Sequence, residues 1–449
     1  MLSESLEFYG KGSRAMLSIG LARVYQHIQA IGHRWLYQAT PSPKNVVVLG
    51  GSYAGIHLAQ RLTETLPTGY RAVLIKKNSH FNHLYVFPRF GVVPGMEQSA
   101  FIPCTGIASH APAGIFQHVQ DSATNVTGNT IELASGRSIN YEYLAIATGS
   151  HQPPPARMKS KDKEDACAEM RVIQKQVQNA KRIAVIGGGP VGVQVATDIK
   201  SFFPAKSVTL IHSRHQLLPN FGPRLHGHIL QSLDRLNIKS ILGERPQSTT
   251  EAVDGTAPIS QELSLRFKIG SEEIYDLVIR CTGQLPNSNI LSKCFPSAIC
   301  KETGQILVHL ILQVNNSLEI ENKHIFPLGD VAKTNGPRMG RACQSQAEIV
   351  ASNILTLIKS QDQLVTYRPS IVDRVIKLTL GKNDYVWYVK DDNGRELMLT
   401  GKCGGTDLSV GQAWSKLRIQ DRDLRRAPAT IRIRRIIMGT GFEAAIKKS

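Results

Sequence analysis

Val46-Val47-Val48-Leu49-Gly50-Gly51-Ser52-Tyr53-Ala54-Gly55 is a buried-strand pattern that breaks at a glycine turn and opens into a helix pattern. Ile183-Ala184-Val185-Ile186-Gly187-Gly188-Gly189-Pro190-Val191-Gly192 repeats the arrangement later in the chain. One such turn is weak evidence, because glycine pairs also punctuate ordinary loops. Two in register mark a chain that holds two dinucleotides at once. In each, the first glycine permits the tight turn and the second lets backbone approach a pyrophosphate. The third lets helix pack on strand, so that free N–H groups at the helix N-terminus face the phosphates.

The surrounding pattern gives these turns a frame. Strands are expected at Ala72–Ile75, Thr130–Leu133 and Tyr143–Ala147, the last ending in Thr148-Gly149-Ser150. A proline- and charge-rich linker at 153–165 and a helix at 169–180 precede the second unit, whose second strand is Ser207–Ile211. Alternation at 263–274 reads as antiparallel, and Leu277–Ile279 ends in Cys281-Thr282-Gly283, an echo of Ala147-Thr148-Gly149. Ile325–Leu328 then ends in Gly329-Asp330, with a helix from 339 to 358. Strands at 377–380 and 385–389 and a helix near 408–417 close the pattern. The fold class is therefore α/β, with two Rossmann-like domains, the first interrupted by the second, and a small α+β C-terminal module. The expected boundaries are an N-terminal amphipathic segment 1–43, first domain 44–165 and 277–360, second domain 166–276, module 361–417 and basic tail 418–449.

At 449 residues and 49.4 kDa the chain can bury a large core. Seven cysteines are scattered with no closely spaced pair, which suits a reducing compartment and argues against a dithiol redox centre. The formal charge of +18 is concentrated at the ends. Residues 1–45 carry five basic against two acidic side chains, and residues 416–449 carry ten against three. Such ends suit peripheral contact with an anionic membrane; nucleic acid is possible but less favoured than solvated tails. Leu17, Leu21, Val24, Ile28 and Ile31 recur at helical spacing, but Arg23, Gln26 and His27 interrupt the stretch, so an amphipathic helix and no transmembrane span is expected. No secretory signal or lipidation motif is present, and the expected location is cytoplasmic, at a membrane or mitochondrion.

From about residue 44 to 417 the chain resembles the apoptosis-inducing-factor-like flavoproteins, in the branch of the ferroptosis suppressor and its fungal relatives. The strings that carry the resemblance are Gly50 to Gly55, Asn82-His83 through Phe87-Pro88-Arg89, Ala147-Thr148-Gly149-Ser150, Gly187 to Gly192, Val208 to Ser213, Cys281-Thr282-Gly283 and Leu328-Gly329-Asp330. It implies FAD in the first domain, NADH or NADPH in the second, no metal, and electron transfer from nicotinamide through flavin to a quinone-like acceptor. Gly50, Gly51, Ser52, Tyr53, Ala54 and Gly55 would then cradle the FAD pyrophosphate. Arg89 would lie along the flavin nucleotide, the backbone of Val119 would meet adenine, and Asp330 would accept a hydrogen bond from a ribityl hydroxyl. Gly187, Gly189, Gly192 and Gly283 would line the nicotinamide nucleotide. Gln346 would sit behind the flavin, and Lys402 and Trp414 occupy places where this branch has a lysine and a tryptophan.

Three positions depart from the pattern. Lys76 stands where a carboxylate normally holds the adenine ribose, so the FAD contact is weakened or the lysine turns to solvent. His212, with Arg214 two residues on, stands at the matching place in the second unit, where no acid repels a 2′-phosphate; NADPH use beside NADH is expected, and a solvent-facing Arg214 is the alternative. Gln194 replaces a glutamate beside the nicotinamide. An amide can still orient a carboxamide, and hydride transfer needs no protein base. The rival reading is a signalling protein with structural FAD and a basic surface for nucleic acid or anionic lipid. A disulfide reductase is disfavoured, because the helix after the first glycine turn carries no cysteine.

Overall fold

The computed structural model describes residues 2–248, 263–268, 270–315, 324–402 and 405–417. The expected basic tail at 418–449 lies outside the described residues. Helix α1 (Leu2–Leu36) leads into β1 (Lys44–Leu49), α2 (Tyr53–Thr63), β2 (Tyr70–Lys76), β3 (Phe116–Gln120) and β4 (Tyr143–Ile146). Helix α3 (Lys163–Asn179) crosses to β5 (Arg182–Ile186), α4 (Pro190–Phe202), β6 (Ser207–His212), α5 (Pro223–Arg235), β7 (Lys239–Leu242) and β8 (Leu277–Arg280). The chain then returns through β9 (Ile325–Pro327) and α6 (Gly340–Ile358). It finishes in β10 (Ile376–Leu380), β11 (Asp384–Lys390), β12 (Glu396–Lys402) and α7 (Val410–Lys416).

Two parallel sheets follow from these runs. The first has the order β9-β4-β1-β2-β3, and the second β7-β6-β5-β8. Val46, Val47, Val48 and Val185 are wholly buried, as strands covered on both faces require. Because β8 pairs in parallel with β5, residues 277–280 belong to the second domain. The boundary expected at 276 therefore moves past β8, and the return crossing is the antiparallel pairing of Ser150 and His151 with Pro286 and Leu285. That crossing is tied by Asn287 Nδ2 donating to Thr148 O at 2.9 Å and Thr148 Oγ1 donating to Asn287 O at 2.8 Å.

The expected linker at 153–165 is shorter than its composition suggests, since α3 starts at Lys163 after Asp162. Ala166, Cys167 and Met170 pack in the core of the first domain and Val177 in that of the second, so α3 spans both. The C-terminal module is a three-stranded antiparallel sheet in the order β10-β11-β12, of which β12 was not expected, followed by α7.

The N-terminal helix is longer than the periodicity predicts. One side docks on the first domain: Ala30 is buried, His33 Nε2 lies 2.7 Å from Leu66 O, and Gln26 Nε2 donates to Glu348 of α6 at 3.0 Å. Leu17, Leu21, Val24, Ile28, Ile31 and Trp35 remain exposed. Among the described residues no helix is long and apolar enough to cross a membrane.

Candidate FAD and nicotinamide sites

The two glycine turns are built alike. Gly50 (φ +112°) and Gly187 (φ +126°) adopt backbone that L side chains rarely reach, and a Cβ on either would lie 2.2 Å from Ala147 O or 2.5 Å from Cys281 O. A Cβ on Gly55 or on Gly192 would lie 1.8 Å from the carbonyl oxygen of Gly50 or Gly187, so only glycine lets these helices approach their strands. Ser52 and Gly189 cap α2 and α4 without a side-chain bond, and neither helix has an acid in its first turn. The amide donors are thus left to phosphate.

The residue closing the second strand lies across the middle glycine in both units. In the first, the Lys76 side chain passes 2.6 Å from where a Gly51 Cβ would sit. Lys76 is buried, and its Nζ donates to His80 O and Cys104 Sγ, both at 2.7 Å. A solvent-facing Lys76 is therefore ruled out. Burial lowers its pKa, only partly offset by Cys104. Lys77 is lowered as well, first by desolvation and then by Arg157 and Lys161; this end of the site is lined by basic side chains and lacks the usual carboxylate.

In the second unit the His212 ring lies against Gly188, whose N–H donates to Nδ1 at 3.1 Å. That bond places the imidazole proton on Nε2. Burial, then Arg214, holds the ring's pKa below its ordinary value, so it is neutral.

Asp330 is reached from three directions. Ser150 Oγ and Gln284 Nε2 donate to Oδ2 at 3.1 and 2.8 Å, and Gln305 Nε2 donates to the Asp330 carbonyl at 3.2 Å. Burial raises its pKa, opposed by Ser150, Arg338 and Arg157. Gly329 (φ +76°) turns the chain, and its N–H donates to Gln346 Oε1 on α6 at 2.7 Å. Gln346 thus positions the Gly329-Asp330 turn. Arg157, which also donates to Ser150 O, and Gln284 escaped the sequence reading; both lie in segments read only as connections.

Other expected residues fall elsewhere. Arg89 is wholly buried, and its Nε and Nη2 donate to Asp198 Oδ1 of α4 at 3.1 and 2.8 Å. Its Nη2 also reaches Gly381 O at 2.6 Å. The guanidinium is engaged in joining the first domain to the second and to the module, which corrects the expectation that it lies along the flavin nucleotide. Gln194 Nε2 donates to Thr379 Oγ1 of β10 at 2.9 Å, which brings α4 and the module together. Val119 is buried on β3, at the edge of the first sheet beside Ile75. Lys402 stands apart, exposed at the end of β12 with Nζ 2.8 Å from Asp384 Oδ1. Trp414 is core, with Nε1 donating to Ser99 O at 3.0 Å.

Comparison with known proteins agrees with this architecture. Residues 44–347 match the model of the pyridine nucleotide-disulphide oxidoreductase family. The chain is 33% identical over 413 residues to Fe-regulated protein 8 of Mycosarcoma maydis, covering 85% of this chain and 96% of that protein. It is 27% identical over 380 residues to ferroptosis suppressor protein 1 of Homo sapiens, covering 83% and 96%. Among solved structures, the sulfide:quinone oxidoreductase of Aquifex aeolicus shares the fold, with a TM-score of 0.65 at 18% identity over 83% of this chain and 90% of that one. The chain belongs to the pyridine nucleotide-disulphide oxidoreductase family. It is an FAD-dependent NAD(P)H oxidoreductase, related to the ferroptosis suppressor proteins.

Proposed function

We propose that this oxidoreductase passes electrons to a quinone or a similar small oxidised acceptor at a membrane surface. FAD, when bound, would supply the redox chemistry between the nicotinamide and the acceptor. The chain's own residues hold and orient. The Gly50–Gly55 turn takes the pyrophosphate, Lys76 stands at the adenine end, and Asp330 meets the ribityl chain. Gly187, Gly189, Gly192 and Gly283 line the nicotinamide nucleotide, where neutral His212 offers an Nε2 proton and Arg214 a charge to a 2′-phosphate. Gln194, whose Nε2 is already given to Thr379, meets the carboxamide through its Oε1, and Lys402, exposed at the end of β12 and away from this cluster, serves the acceptor step.

The observation that carries this reading is the Asp330 cluster. A half-buried acid, fixed by Ser150 and Gln284 on a turn that Gln346 holds from behind, suits a flavin that turns over. With no cysteine in α2, the reduced flavin has no dithiol there to feed, which favours a small molecule as acceptor. The exposed apolar row on α1 favours a location where such acceptors dissolve.

The test is an anaerobic titration of the purified protein with NADPH and with NADH while flavin absorbance is followed, then mixing with a short-chain quinone. Bleaching by nicotinamide and recovery on adding quinone is the expected result, with NADPH at least as effective as NADH. A yellow protein that neither nucleotide bleaches points to the structural-flavin reading. Bleaching without recovery removes quinone as acceptor.

A further inference from the structure

Lys76 and Cys104 meet because the strand of residues 80–82 pairs antiparallel with that of residues 101–103, setting His80 opposite Pro103. The lysine returns from the end of β2 over Gly51, and the cysteine follows the second strand. Their Nζ and Sγ atoms are 2.7 Å apart. A second lysine and cysteine in the same protein, Lys333 and Cys300, are 3.2 Å apart, closer to what sulfur's larger radius imposes on an N–H···S hydrogen bond. The separation of 2.7 Å is too long for a direct S–N bond and of the size that one intervening oxygen spans.

The two partners have complementary surroundings. Lys76 is 4% exposed, and desolvation favours its neutral amine, which has a lone pair to react. Cys104 is partly exposed and precedes exposed Thr105, so a small oxidant reaches the sulfur from solvent. His80 O, also 2.7 Å from Nζ, fixes the nitrogen in place.

We propose that Lys76 and Cys104 are a site of oxidative cross-linking, in which hydrogen peroxide joins them through a covalent N–O–S bridge beside the first glycine turn. The Cys104 sulfur attacks one peroxide; an S–O bond forms, the O–O bond breaks and water leaves, giving the sulfenic acid. The Lys76 nitrogen attacks a second peroxide in the same way, giving a hydroxylamine and a second water. The hydroxylamine oxygen then displaces the sulfenic hydroxyl from sulfur as a third water. Sulfur and nitrogen each lose two electrons, and two peroxides are reduced to three waters in all. In the bridged state the Lys76 nitrogen can no longer take up a proton at the dinucleotide turn and is fastened to the loop that begins at Cys104.

The experiment treats the full-length flavin-loaded protein with hydrogen peroxide and reads intact mass, followed by peptide mapping. The expected result is a gain of about 14 Da, one oxygen in and two hydrogens out, reversed by a thiol reductant. Trypsin should fail to cut after Lys76, and the peptides holding Lys76 and Cys104 should travel together. Cys104→Ser and Lys76→Arg should each lose the shift, with flavin absorbance reporting that they fold; Cys104→Ser alone decides the matter if Lys76→Arg does not. Oxygen added to Cys104 without a link to Lys76, a bridge mapped to another pair, or an unchanged mass each overturns the proposal.

Discussion

The two dinucleotide turns share a backbone and differ in the residue laid across it. Gly50 and Gly187, Gly55 and Gly192, and the Ala147-Thr148-Gly149 and Cys281-Thr282-Gly283 strand ends match nearly atom for atom in what they would collide with. Yet one turn is crossed by a buried lysine whose amine is held by His80 and Cys104, and the other by a neutral imidazole held by a backbone N–H. The glycine framework is set by sterics and tolerates no change. The crossing residue differs between the two turns of this one chain, a lysine in the first and a histidine in the second.

Breaking the shared part should have the largest effect. Gly55→Ala is expected to yield little soluble protein, and that without flavin, because its Cβ would sit 1.8 Å from Gly50 O. Gly192→Ala faces the same collision in the second unit, so the protein should stay yellow while bleaching by NADPH slows by about 100-fold or more, nearly 3 kcal/mol in the barrier. Stopped-flow absorbance separates the two. Next comes the tie between the units: Arg89→Met leaves Asp198 buried without its partner and should lower stability by about 3–5 kcal/mol, read as a fall in Tm.

Acid distinguishes the turns further. His80, beside Lys76, is held at about pKa 4, by burial first and then by Lys76. A depressed folded value means full stabilisation above pH 6.5 and progressive loss as pH falls toward 4. The first domain should forfeit about 3 kcal/mol over that window, with flavin released on acidification, and His80→Gln should flatten the profile. Swapping the crossing residues is a smaller change. Lys76→Glu should slow FAD dissociation by about tenfold by restoring a ribose acceptor, and His212→Glu should shift the preference toward NADH by about as much, each worth roughly 1.4 kcal/mol. Least of all, Lys402→Ala removes only an exposed ion pair and should move Tm by less than about 1 kcal/mol in equivalent stability, while quinone turnover falls and flavin reduction by NADPH does not.

The framework was legible in the sequence because glycines at fixed spacing between an apolar run and a helix have few other uses, and Gly329-Asp330 could be placed for the same reason. Gln284 and Arg157 were not legible. Each lies in a connection whose composition signals only irregular chain, and their proximity to Asp330 comes from the crossing of residues 150–151 with 285–286, a long-range pairing without local pattern. Arg89 was misplaced for a related reason: an arginine's charge states that it needs a counterion, and sequence does not say whether that is a phosphate or an aspartate 109 residues away. The third strand of the module was missed because Glu396-Leu397-Met398-Leu399-Thr400 alternates weakly, and it is the register with β11 that makes it a strand.

The Arg89 guanidinium has a bearing on how the molecule comes apart. It touches an aspartate of the second domain and the carbonyls of Gly381 and Gly405 in the C-terminal module while rooted in the first domain. No one of the three parts can leave without exposing a charge that the others were shielding. The chain should therefore melt as a single cooperative unit, and its two dinucleotide domains should keep a fixed relative orientation through the catalytic cycle. The nicotinamide must then come and go past a static cleft, with side chains as the moving parts.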